Sequence, residues 1–67
     1  MDQDKEKLKF LLQHWAEHNE SHKDNFVKWV RKAKMMGLDS TAENLAKAVD
    51  ATNESIKYLQ KALKEFE

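Results

Sequence analysis

Three histidines, His14, His18 and His22, stand four residues apart in this chain. On a helix that spacing places side chains one above the next on one face. Neutral imidazole is a common ligand for transition metals. The run therefore reads either as a metal site or as a polar patch at a helix contact. Geometry limits the first reading. Eight residues separate His14 from His22, about 12 Å along a helix axis, too far for all three rings to sit about 2 Å from one ion. A single pair can chelate, His18 with either His14 or His22. Further ligands must then come from Glu17, Asp50, Glu54 or a second chain. The candidate metal residues are His14, His18, His22 and Glu54. Zinc, nickel and cobalt are the divalent ions that suit imidazole with carboxylate support.

Other chemistry is poorly provided for. The segment His14-Trp15-Ala16-Glu17-His18 has the two histidines of a zinc-protease HExxH motif, but tryptophan stands where the glutamate base must be. No nucleophile with a partnered base and no glycine-rich phosphate loop is present, so an enzyme is not expected. Formal net charge is zero, which argues against a nucleic-acid binder. The one local basic excess, Lys28, Arg31, Lys32 and Lys34, falls where a helix C-terminus favours cations.

These residues need elements to hold them, and the pattern is helical throughout. There is no proline and only one glycine, Gly37. Leu8, Leu11, Leu12, Trp15, Phe26, Trp29, Val30, Ala33 and Met36 follow a helical period, continued through His18, Asn19 and His22. That predicts one helix over residues 4–36 with a polar middle. Gly37 suits a C-cap, with Leu38 folding back onto Ala33 in a Schellman motif. Ser40-Thr41-Ala42-Glu43 has the form of a capping box. A second helix over 40–66 comes next, with the stripe Ala42, Leu45, Val49, Thr52, Ile56, Leu59, Leu63 and Phe66. With a turn of only 37–39, the two run antiparallel. The expected fold is an all-α helical hairpin forming one domain over residues 1–67. The alternative is a three-helix bundle broken near residues 19–22, where Asn19 and Ser21 are good N-cap residues.

A chain of 67 residues has a marginal core, and without cysteine no disulfide can supplement it. The apolar residues spread wider than a two-helix seam, through Phe10, Val27, Met35 and Tyr58. Dimerisation into a four-helix bundle is the expected completion. Folding the hairpin about residue 38 sets His22 near Glu54 and His18 near Tyr58. The second helix is also polar at that level, at Asp50, Thr52, Asn53 and Glu54. No apolar run approaches the roughly 20 residues needed to span a bilayer, and Met1-Asp2-Gln3-Asp4 lacks a signal-peptide layout. A cytoplasmic protein is expected.

The stretch from Leu11 to His22, with Phe26 and Trp29 beyond it, resembles an uncharacterised small prokaryotic family of all-helical domains. Its members share an HWxxHNxxH core and a glutamate- and lysine-rich second helix. Some are associated with nickel-binding accessory proteins of carbon monoxide dehydrogenase maturation. The resemblance implies that His14, His18 and His22 are signature positions and favours a metal-linked role.

Two functions are therefore expected in order. The first is a small metal-binding or metal-handling accessory protein. The second is a protein-interaction or dimerisation module whose histidines form only a structural polar layer that sets pairing.

Overall fold

Residues 2–66 are described by a computed structural model. Helix α1 runs Asp2–Met35 and helix α2 runs Asp39–Lys64. They form an antiparallel hairpin joined by residues 36–38. The molecule measures 52 × 14 × 14 Å, and the long axis matches 34 residues at about 1.5 Å each. Nothing between residues 2 and 35 breaks a helix, since neither glycine nor proline occurs there. Asp2 and Asp4 stand in the first turn of α1 and Lys32 and Lys34 in the last, each sign at the end that the helix dipole favours. The three-helix alternative is therefore wrong. Asn19 does not cap a helix; its side-chain amide donates across the hairpin to the Ser55 hydroxyl, 3.4 Å away.

The turn is a Schellman motif. The Leu38 amide donates to the Ala33 carbonyl at 2.9 Å and the Gly37 amide to Lys34 at 3.0 Å. Gly37 has φ +77°, which a side chain would oppose. The capping box, by contrast, does not form. Helix α2 begins one residue early, at Asp39, and its N-cap is Leu38 with no side-chain cap. The Leu38 carbonyl takes the Ala42 amide at 2.9 Å. The Schellman turn delivers Leu38 directly into position, so Ser40 is already inside the first turn and cannot cap it.

The α2 stripe packs as its spacing predicts. Ala42 and Ile56 are buried, and Leu45, Val49, Thr52, Leu59, Leu63 and Phe66 are half-buried. The steps alternate three and four, the period of a coiled-coil seam. On α1 the seam differs from expectation. It passes through Leu12, Ala16, Asn19, Lys23, Phe26, Val30 and Ala33, again alternating four and three. Leu12, Asn19, Phe26, Val30 and Ala33 of the expected stripe lie in this seam, whereas its other members Trp15, His18, His22 and Trp29 stand beside it and stay exposed. Size decides between the rows. Three of the five buried side chains are alanines, Ala16, Ala33 and Ala42, which let the helices approach closely. Tryptophans would hold them apart.

Two helices do not make much of a core. Among the described residues no large side chain is completely buried. The accessible surface is 5523 Å², whereas a compact monomer of 7.9 kDa exposes about 4,400 Å². The radius of gyration is 15.5 Å, against about 11 Å for a compact domain of this length.

Candidate metal centre and exposed face

Five rings climb α1 in four-residue steps: Phe10, His14, His18, His22 and Phe26. Each step advances about 40° around the helix. The ladder therefore starts on the outer face at Phe10, which is 67% exposed, and reaches the seam at half-buried Phe26. All three histidines between them are exposed. Ring centroids lie 6.2 Å apart for Phe10–His14 and 6.0 Å for His14–His18, both stacked. They lie 6.1 Å apart for His22–Phe26.

The third step is different. The His18 and His22 rings are 4.4 Å apart and perpendicular, at 87°. Their Nε2 atoms are 2.9 Å apart. With no ion between them, one Nε2–H donates to the other ring's lone pair. Two nitrogens each about 2.0–2.1 Å from one ion would also lie about 2.9 Å apart at the right angle of square-planar or octahedral coordination, and about 3.3 Å apart at the tetrahedral angle. The pair thus has the spacing of two adjacent ligands on one metal.

The other expected ligands are not brought to it. His14 stacks on His18 at 6.0 Å instead of converging with it. Glu54 is exposed and lies two residues from both Thr52 and Ile56. Two residues turn a helix by about 200°, so Glu54 occupies the far side of α2 from the seam. Folding about residue 38 matched the level of Glu54 but not its direction. Asp50 lines a groove with Val27, Val30, Arg31, Lys34, Ala46 and Val49 on one flank of the hairpin. Tyr58 is exposed and takes the Lys57 and Lys61 ammonium groups at 5.5 Å from its ring. Among the described residues, no three His, Asp or Glu side chains converge as an ion site. The sharing of one polar level by both helices holds, but the residues that meet there are Asn19 and Ser55. Lys23 sits beside them in the seam. Its ammonium donates to Glu20 at 2.8 Å, which with the nearby Asp24 carboxylate raises its pKa above the usual value.

The row left uncovered by α2 carries Leu8, Trp15, His22, Trp29 and Met36. These are spaced by seven, so they keep one position relative to the seam. Leu8 and Trp15 are 43% exposed, Trp29 50% and Met36 59%. Lys32 lays its ammonium 4.5 Å from the Trp29 ring centroid, partly covering it. The repeat of seven is present in the sequence. Reading the apolar residues of α1 as one broad stripe hides the fact that they form two.

A family model described as "Domain of unknown function (DUF8180)" matches residues 8–66. The chain belongs to that family. The matched span opens at Leu8 and holds both the histidine ladder and the exposed row. No curated protein and no solved structure matches the chain. Among the described residues no helix is long and apolar enough to cross a membrane.

Proposed function

We propose that this chain is a small metal-binding accessory protein, acting as a homodimer, with His18 and His22 as its chelating pair. The observation that carries the reading is the 2.9 Å separation of the two Nε2 atoms, which suits adjacent ligands at a right angle on a square-planar or octahedral nickel or cobalt ion and is shorter than the wider angle of tetrahedral zinc sets gives. Both rings are exposed, so a metal can enter and leave without opening the fold. The histidine core His14-Trp15-Ala16-Glu17-His18-Asn19-Glu20-Ser21-His22 resembles that of domains associated with nickel-binding accessory proteins, which makes nickel the first ion to try. Two imidazoles leave an ion incomplete, so its remaining positions belong to water, a second chain or a client protein. His14 and Glu54 lie outside the chelating pair.

Calorimetric titration with nickel and zinc tests this. Saturable binding that is lost in His18→Ala and His22→Ala, and kept in His14→Ala, supports the pair. Absence of binding in the unaltered protein, or loss only in His14→Ala, contradicts it.

A second reading rests on a different observation. Trp15 and Trp29 stand exposed on one row, and large exposed aromatics mark interaction surfaces. On that reading the chain is a dimerisation or protein-interaction module and the histidines only set pairing. His18→Ala then changes molecular mass or stability and leaves no metal affinity to lose.

A further inference from the structure

The row Leu8, Trp15, His22, Trp29, Met36 reads alike in both directions from His22. Large residues stand about 10.5 Å to either side and again about 21 Å away, from steps of seven residues at about 1.5 Å. An isologous interface requires that kind of self-complementarity, because each residue must meet the symmetry mate of another in the same patch. A two-fold axis crossing α1 at His22 sets Trp15 against Trp29 of a second copy and Leu8 against its Met36.

Helix α2 has its own row at steps of seven: Thr41, Ala48, Ser55 and Ala62. All four are small, and the midpoint falls at residues 51–52. The Asn19–Ser55 hydrogen bond fixes the level of one helix against the other. Three residues onward on α1 and three back on α2, His22 is level with Thr52. The two rows are therefore centred at the same height. The groove containing Val27, Lys34, Ala46 and Asp50 occupies the opposite flank of the seam, which leaves both rows on the same remaining side. One two-fold axis serves both.

We infer that a second copy of this chain packs antiparallel on this side, α1 on α1 and α2 on α2, about an axis through His22. At the axis the two His18–His22 pairs meet, and four imidazoles surround one divalent ion. The shared ion rests on the chelating role proposed above for that pair; the packing itself does not. The surface to be covered is sufficient. The chain exposes roughly 1,100 Å² more than a compact monomer of its mass, and a stable interface takes about 800 Å² from each partner. Zero net charge puts no overall repulsion in the way. Antiparallel packing also opposes the α1 dipoles.

The test uses the full chain, nickel as the probe, and two single-cysteine variants, His22→Cys and Phe10→Cys, oxidised with diamide. The expected result is twice the chain mass in solution, one nickel per two chains, and a disulfide-linked dimer with His22→Cys but not with Phe10→Cys on the outer face. A monomer that binds one nickel per chain keeps the metal reading and overturns the shared site. Linkage through residue 22 in His22→Cys, with no nickel bound by the unaltered chain, keeps the interface and overturns the chelating role. A monomer at all concentrations with and without nickel, or preferential linkage through residue 10, overturns the two-fold arrangement.

Discussion

The two helices differ in how many neighbours they are built for. Helix α2 has a single apolar seam, small residues on one flank and, apart from exposed Tyr58, no large apolar side chain elsewhere. Helix α1 has a seam whose steps alternate four and three and, beside it, a row at steps of seven. One is lined by Leu12, Ala16, Phe26, Val30 and Ala33 and is covered by α2. The other carries Leu8, Trp15, Trp29 and Met36 and is open. A helix with one apolar stripe is satisfied by one partner; a second stripe of larger side chains asks for a second. The difference explains why a two-helix chain of this size can fold. Its own seam sets the hairpin, and on the dimer proposed above burial of the second row would supply what that seam lacks.

Substitutions separate the two rows, and the largest effect belongs to the covered one. Ile56→Ala, at 6% exposure, removes about 2–4 kcal/mol. In so small a core that melts the helices at room temperature, read by far-ultraviolet circular dichroism. Trp15→Ala, on the open row, instead weakens self-association by about 2 kcal/mol, roughly thirtyfold in the dimer dissociation constant. Sedimentation equilibrium measures it, with helix content retained at high concentration. If Trp15→Ala unfolds the chain as Ile56→Ala does, the rows are not distinct. Gly37→Ala places a side chain at φ +77° with no neighbouring atom within 4 Å to clash. Its cost is backbone strain alone, about 1 kcal/mol, seen as a lower melting temperature. Asn19→Leu fills the seam with an apolar side chain at its polar level and raises stability by about 1 kcal/mol or less. Ser40→Ala has the smallest effect, under about 0.5 kcal/mol, because Ser40 does not cap α2. A loss near 1 kcal/mol there would restore the capping box.

Much of the fold is legible without coordinates, for identifiable reasons. The α2 seam can be read residue by residue because its large apolar positions, Tyr58 apart, serve one contact. The Gly37 turn is equally clear, since Gly37 is the one glycine and Leu38 comes directly after it. The α1 seam is legible only in part. Two overlapping rows give the same helical period, and periodicity alone does not say which one a partner covers. The choice rests on alanine at residues 16, 33 and 42, whose meaning appears only when two helices must approach. The chelating spacing of His18 and His22 comes from rotamers that no sequence pattern specifies, and the direction of Glu54 comes from the phase of the seam. Counting residues from the turn gives its height only.

Trp15 and Trp29 are the only tryptophans, and both lie on the open row. Their fluorescence therefore reports that row directly. The decisive measurement is emission of the metal-free protein through a dilution series, beside molecular mass at each concentration. A two-row helix predicts blue-shifted emission at the dimer mass, moving to the red as dilution halves the mass. Red, water-exposed emission at every concentration, with the mass of one chain throughout, would contradict it.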